Sequence, residues 1–434
     1  MTMKERWEIV PVDLAEPFPE LSGENNCSGV RAVFFWRGIP LGHCQFAMAQ
    51  LPLSPQQVAT VAARVTAQAI GDYVLAAGFQ SALPGLPEPS PINPEQALAH
   101  LAEVERPVSR LAQAAPASPR TSSVTVSVAV CTHERPGELV RCLKSLTRLS
   151  ERPKEILVID NAPVSDVTRE IVARFPGVQY HCEPRAGLSA ARNAALAIAS
   201  GDIVAFTDDD VFVHPDWVTR IQGCFDNEKV MVATGLVLPA ELESRAQLMF
   251  EQDFQFFHQG YRRRYLDSAY FEAMRSKGVP VWSLGAGANM AIRRAAYERG
   301  FAFDTRLGPG VFGGCGEDSE FWYRILAAGW SCVYEPSACV FHYHRRELSA
   351  LRHQVYEYMK GHVAALILQF AKTGHTGNLR RLVLALPKEY LLLFLRLIVT
   401  GFPAENRILL RGALGCFSGL RFAFRCRQEQ VATQ

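Results

Sequence analysis

Asp208-Asp209-Asp210 follows the apolar run Ile203–Thr207 and precedes Pro215-Asp216, where a helical pattern begins. Three adjacent carboxylates repel one another and cost stability unless a cation or a cationic side chain neutralises them. On an extended segment Asp208 and Asp210 share one side, so both can face a single site. Their hard oxygens suit Mg²⁺ or Mn²⁺, ions bound through one or two carboxylates together with substrate phosphates. Taken alone, the triplet also reads as a solvated acidic turn. A second acidic pair, Glu317-Asp318, closes Gly313-Gly314-Cys315-Gly316 and opens the helical stretch Ser319–Ala328. Helix capping accounts for an acid there, but not for four glycines from Gly310 to Gly316, which let backbone approach a ligand closely. A carboxylate so placed can serve as general base towards a hydroxyl. The third cluster is His342-Tyr343-His344-Arg345-Arg346. Its imidazoles can complete a carboxylate metal site, and its guanidinium forks suit a diphosphate; runs of this kind are also common on surfaces.

These residues need a frame. From Val124 onward the apolar runs Val126–Cys131, Ile156–Asp160, Val178–Cys182 and Ile203–Thr207 alternate with helical stretches near 137–149, 166–175, 187–200 and 215–227. That alternation predicts βαβ units, hence a mostly parallel sheet with helices on both faces. Ligands of such sheets sit at the carboxyl ends of the strands, which points to Thr132, Asp160 and Asp208–Asp210. A further strand is expected at Cys332–Tyr334, ahead of the histidine cluster.

The flanks differ in texture. Residues 1–81 read as a small α/β unit, with a hairpin of Val30–Trp36 and Gly42–Met48 followed by a helix over 55–76. Cys27, Cys44 and His43 are read there as buried thiols and a surface imidazole rather than a metal site. Residues 82–122 hold eight of the 26 prolines and read as a linker with a short helix near Glu95–Val104. The third segment, 123–345, is the α/β domain, and 346–434 is a helical, basic and apolar tail. Within that tail Leu382–Thr400 is interrupted by Lys388, Glu389 and Arg396, so no uncharged run approaches the ~20 residues of a spanning helix. Residues 379–427 carry nine Lys/Arg against only Glu389 and Glu405, while the whole chain nets +2. Arg407, Arg411, Arg421 and Arg425 fall in one helical stripe, which fits either a solvated face or an interfacial helix pair on anionic lipid. Gly412, Gly415 and Gly419 weaken a free helix there.

Composition sets limits on function. A hydrophobic share of 48% with 20% charged residues excludes wholesale disorder, and a net charge of +2 supplies no global field for nucleic acid. Eleven cysteines without a CxxC pair argue against a disulfide scaffold or zinc knuckle. The stretch MTMKERWEIVPVDL lacks an apolar signal region, so a reduced, cytoplasmic protein is expected.

The order of motifs resembles the glycosyltransferase family 2 catalytic domain of GT-A fold across residues 126–345. The matching pieces are Val126–Pro136, Glu155–Asn161, Gly187–Asn193, Gly201–Asp210, Leu284–Arg294 and Gly316-Glu317-Asp318. The resemblance implies a metal-dependent inverting transfer of sugar from a nucleotide-diphosphate sugar to a hydroxyl acceptor. It implies that Thr132, Arg135, Asp160, Arg192, Asp208 and Asp209 border the nucleotide sugar. Asp208, Asp210 and His342 (with His344 as fallback) are implied as metal ligands for Mg²⁺ or Mn²⁺, and Asp318, with Glu317 beside it, as the catalytic base. Phe301-Ala-Phe-Asp304 departs from the family's more usual Gly-Gly-Phe-Asp, which bears on acceptor-side contacts. The family also points to polysaccharide or glycolipid synthesis, a carbohydrate or lipid-linked acceptor, and peripheral attachment to an anionic membrane surface on its cytoplasmic face. Two alternatives stand beside this reading. A sugar-1-phosphate nucleotidyltransferase would need a glycine-rich triphosphate loop that Val126–Pro136 does not offer, and an inactive nucleotide-binding module would not need intact acids. Acceptor recognition is placed in 240–283, where aromatic residues including Phe250, Phe254, Phe256, Phe257, Tyr261, Tyr265, Tyr270 and Phe271 read equally as packing or as stacking platforms.

Overall fold

A computed structural model of the chain describes residues 6–24, 26–76, 124–254, 257, 259–400, 408 and 410–422. The proline-rich segment 82–122 with its expected helix lies outside these residues, as do Arg407 and Arg425 of the basic stripe and the side chains of Phe254 and Phe256.

Near the N-terminus, β1 (Trp7–Asp13) runs parallel to β2 (Gly29–Trp36), and β3 (Ile39–Ala47) returns antiparallel to β2. Arg37 and Gly38 both take positive φ, 47° and 76°, which is what a two-residue hairpin turn matching strand twist requires. The turn is therefore shorter than the five-residue separator expected from sequence, and a register shift at Phe34/Phe35 absorbs the difference. Strand β1 was not anticipated. It contains Pro11 and sits at a sheet edge, where a missing N–H is tolerated, and only its parallel partner β2 makes it a strand. The helix Pro55–Ala76 closes this layer by packing Val58 and Ala62 on Val12, Ala32 and Phe34.

The larger sheet has nine strands: β4 (Val126–Thr132), β5 (Glu155–Asn161), β6 (Val178–Glu183), β7 (Ile203–Asp208), β8 (Val211–Val213), β9 (Val230–Pro239), β10 (Arg264–Leu266), β11 (Asn289–Arg293) and β12 (Ser331–His342). Their order is β10-β12-β9-β11-β7-β4-β5-β6, with β8 paired to β12 beside that row. Neighbours among β7, β4, β5 and β6 are parallel, as are β12 and β9, whereas β11 runs antiparallel between β9 and β7. Residues alternate between two apolar layers. Val126, Val128 and Val130 face the helices Pro136–Leu146 and Trp217–Gln222, while Ala129, Leu157 and Ile159 face Leu188–Ile198 and Glu317–Ala327. Each such Val, Leu or Ile side chain contributes roughly 1.5–3 kcal/mol by burial. This is the helix-covered, mostly parallel α/β sheet that the sequence pattern predicts. Its register sets the site, because Thr132 pairs with Asp160 and Cys131 with Asp208, so the carboxyl ends of three strands lie level.

Strand β12 is much longer than the three residues expected. It continues past Pro336 to His342, with a register shift between Glu335 and Val340 that accommodates the proline. At its end His342 pairs with Val211 of β8, and the Tyr343 N–H donates to the Asp210 carbonyl at 3.0 Å. Sheet pairing thus delivers the histidine cluster to the aspartate triplet.

The helix Leu348–Thr373 lies against Glu317–Ala327. A Cβ at Gly361 would overlap the Cys315 carbonyl oxygen, so the helix backbone is pressed onto the glycine-rich loop. The three glycines expected to weaken a free helix have a packing use. In the helix over 410–422, Gly412, Gly415 and Gly419 are buried, and Cβ atoms at 415 and 419 would run into the backbone of Tyr356 and Lys360. Its outer side presents Arg411, Leu414, Phe417, Leu420 and Arg421. Among the described residues, no helix is long and apolar enough to cross a membrane.

Candidate active site

A cavity of about 960 Å³ opens at the carboxyl ends of the strands, with the aspartate triplet and the Glu317-Asp318 pair both on its wall. Within the triplet the three side chains diverge. Asp209 is buried, accepts a hydrogen bond from Thr132 Oγ1 at 2.7 Å, and pairs with Arg135 at 2.6 Å. Burial pushes its carboxyl up to about 7 despite Arg135. Asp210 pairs with Arg135 at 2.9 Å and approaches His342 Nε2 at 3.2 Å. Burial alone would raise its pKa, yet His342 and Arg135 hold it well below the usual carboxylate range. Asp208 is raised by burial, with Arg192 opposing at 3.7 Å. His342 in turn is raised by Asp210 against the effect of its own burial.

One carboxylate oxygen each from Asp208 and Asp210 and one ring nitrogen of His342 lie within 4.8 Å of one another. Asp210 Oδ1 is buried without a hydrogen bond of good geometry. Two hard carboxylate oxygens, one imidazole nitrogen and an under-satisfied buried oxygen fit a divalent cation of the Mg²⁺ or Mn²⁺ type. His344 is turned away from this cluster; its Nδ1 meets His342 Nδ1 at 2.9 Å and its Nε2 meets Glu251 at 2.8 Å.

Across the cavity, Asp318 stands in the first turn of the helix Glu317–Ala327, where backbone N–H groups favour anions. Its two oxygens accept from the N–H of Gly287 at 3.1 Å and of Ser319 at 2.6 Å. Burial and the neighbouring Glu317 push its carboxyl up to about 6, with Arg192 opposing. Gly287 has to be glycine for this arrangement, since a Cβ there would press on the Arg192 guanidinium and the Asp318 carboxylate. Glu317 is buried and serves the structure around it: its carboxylate accepts from Arg192 at 2.7 Å and from the Gly316 N–H at 3.0 Å. Arg192 therefore ties the Glu317-Asp318 side of the cavity to the aspartate triplet.

Thr132, Arg135, Arg192, Asp208 and Asp209 all line the cavity. Asp160 differs. It is buried at the end of β5, accepts from the Tyr180 hydroxyl at 2.9 Å, and its neighbour Asn161 takes the place on the cavity wall. Sequence reading missed the wall contributed by the tail, where His353, Glu357, Tyr358, His362 and Arg381 face the same space. No local signal could have found them, because the motifs end at 345 and the helix Leu348–Thr373 reads as an ordinary apolar helix. Of the aromatic residues in 240–283, Phe271 packs on Tyr323, Phe250 on His344 and Phe257 on His342, while Tyr261 bonds to His43 at 2.9 Å. Packing is their main use, and Phe257 and Trp282 also reach the cavity.

Residues 127–301 match the Glycosyl transferase family 2 domain. Succinoglycan biosynthesis protein ExoM of Rhizobium meliloti is 28% identical over 230 residues, covering 50% of this chain and 65% of that protein. The pre-mycofactocin glycosyltransferase of Mycobacterium tuberculosis is 28% identical over 236 residues, 54% of this chain and 45% of that one. The chain thus spans less than two thirds of the length of these curated relatives. A solved mannosyltransferase from Pyrobaculum calidifontis, in complex with GDP-Man and Mn²⁺, is 16% identical with a TM-score of 0.45, over 76% of this chain and 96% of that one. The motif order and the sheet that levels the motifs agree with the match of residues 127–301 to the Glycosyl transferase family 2 domain.

Proposed function

We propose that the chain transfers a glycosyl group, with inversion, from a nucleoside-diphosphate sugar to an acceptor hydroxyl. The observation that carries this reading is that Asp318 and the Asp208–Asp210–His342 cluster line one cavity, with Arg192 reaching both Asp208 and Glu317. Asp208, Asp210 and His342 would hold a divalent cation, Mg²⁺ or Mn²⁺, whose charge stabilises the departing diphosphate. Arg135, paired with Asp209 and Asp210, keeps the triplet from repelling that anion. Asp318 accepts the acceptor's hydroxyl proton as the new bond to the anomeric carbon forms. The bond from that carbon to the diphosphate oxygen breaks with its electron pair, leaving nucleoside diphosphate. Attack from the face opposite the leaving group inverts the centre. Testing purified protein against a panel of nucleotide sugars, with Mn²⁺ or with EDTA, should give nucleoside diphosphate only when metal is present. Pyrophosphate release would instead favour nucleotidyl transfer, and metal-indifferent nucleotide binding without turnover would favour an inactive module.

The same reading extends to location. The outer side of the helix Leu386–Thr400 exposes Leu391, Leu392, Leu395 and Ile398, and the helix over 410–422 exposes Leu414 and Phe417 between Arg411 and Arg421. Apolar side chains flanked by arginines fit the interface of an anionic membrane, and each basic residue there adds about 1 kcal/mol. The attachment is peripheral, on the cytoplasmic face where nucleotide sugars are supplied, with a carbohydrate or lipid-linked acceptor. Removing the tail is not a clean test, because Arg381, Leu386 and Glu389 line the cavity. Leu391→Ser, Leu392→Ser and Leu395→Ser together should abolish co-sedimentation with anionic vesicles without lowering the melting temperature. Unchanged co-sedimentation would remove this face from the binding surface.

A further inference from the structure

We infer that Arg31, in the N-terminal sheet, is a positioning residue for the cation site: through Glu251 and His344 it fixes which ring nitrogen of His342 faces Asp210. The inference rests on the reading of Asp208, Asp210 and His342 as cation ligands. Arg31 lies in β2, outside the matched family segment, in a unit without any catalytic motif. Its guanidinium reaches Glu251 at 2.9 Å, and each side chain is only 2% exposed. A charge buried this deeply is tolerated when it is paired, and Arg31 supplies the pairing for the Glu251 carboxylate.

Each hydrogen bond after that pair determines the next. An ionised carboxylate only accepts, so His344 Nε2, 2.8 Å from Glu251, carries a proton. A neutral His344 ring with its proton on Nε2 has its lone pair on Nδ1. His342 Nδ1 lies 2.9 Å from that lone pair and must donate to it. The proton of a neutral His342 is then on Nδ1, leaving the Nε2 lone pair directed at the cluster, 3.2 Å from Asp210. This is the tautomer that ligates a cation, and outer partners of this kind commonly set ring orientation and metal affinity. Phe250 and Phe257 flank the two imidazoles, with ring centres 4.5 Å from His344 and 5.2 Å from His342. The local backbone is unusual as well, since Glu251 sits in a π-helical turn, Phe250–Phe254.

The test uses the full chain, Mn²⁺ alone as probe, and long-range ¹H–¹⁵N spectra of ¹⁵N-histidine-labelled protein recorded metal-free at alkaline pH. The wild type should show His342 protonated at Nδ1 and His344 at Nε2. Arg31→Met, and the paired Arg31→Met with Glu251→Met, should weaken Mn²⁺ binding about tenfold or more and scramble the His342 tautomer. Arg31→Lys, which keeps the charge, should restore most of the affinity. The paired variant guards against misfolding of the single one, because replacing a buried ion pair by apolar side chains is often neutral for stability. A folded paired variant that binds Mn²⁺ like the wild type and keeps its histidine spectrum overturns the inference. Wild-type protein that takes up no Mn²⁺ overturns the metal reading instead, and the histidine spectrum still decides whether Arg31 sets the tautomer.

Discussion

Asp210 and Asp318 face one cavity and both lie in runs of adjacent acids, yet their surroundings treat them oppositely. Asp210 has Arg135 on one oxygen and His342 near the other, and its pKa is driven far down. Asp318 has two backbone N–H groups and a like-charged neighbour, and its carboxyl rises to about 6. A permanently ionised carboxylate is suited to hold a cation, whereas one poised near neutrality is suited to take and release a proton. Arg192 separates the two environments, since it neutralises Glu317 at 2.7 Å but only approaches Asp208, at 3.7 Å. Acids within such runs thus acquire different proton affinities from the groups packed around them.

Single substitutions should break this contrast most sharply. Asp318→Asn is expected to lower transfer about 10²–10⁴-fold while Mn²⁺-dependent nucleotide binding persists, measured by diphosphate release beside calorimetric titration. Asp210→Asn should lose transfer and Mn²⁺ binding together. If both variants lose metal, the two clusters are not functionally distinct. Arg192→Met leaves Glu317 buried without its partner and should cost about 3–5 kcal/mol in urea denaturation, because an unpaired buried charge is strongly destabilising.

The pH dependence sharpens the contrast. Below a pKa of about 6 Asp318 is protonated and cannot accept a proton, so kcat/KM should fall about tenfold per pH unit on the acid side and level off above it. Glu317→Gln removes the like charge beside Asp318 and should move that limb to lower pH. A limb that stays in place assigns the ionisation to another group. The smallest expected effect is structural: Gly361→Ala should destabilise by about 1–3 kcal/mol through overpacking against Cys315, with a broadened loop and a raised KM.

Much of the site could be read along the chain. The strands ending at Thr132, Asp160 and Asp208 carry continuous apolar runs, a pattern that survives in any parallel sheet buried on both faces. The acids follow those runs directly, so strand and chemistry were legible together. Strands β1 and β8 and the long β12 were not, since each depends on partners far away in sequence, and Pro336 hides the continuity of β12. Asp160 shows the converse limit. Its position at a strand end was clear, but the Tyr180 hydroxyl that turns it inward could not be inferred from spacing.

By itself the sequence determined the α/β alternation, the order of the acidic clusters and the interruption of the apolar tail by charged residues, because periodicity and local charge are properties of neighbours in the chain. Tertiary structure alone decided that His342 reaches Asp210, that Gly287 and Ser319 hold Asp318, and that the tail completes the cavity. It also joined Arg31 to Glu251 across more than half the length of the first 400 residues. Pairing energies between buried charges depend on distance and desolvation, and neither exists until the sheet and its flanking helices have closed around them.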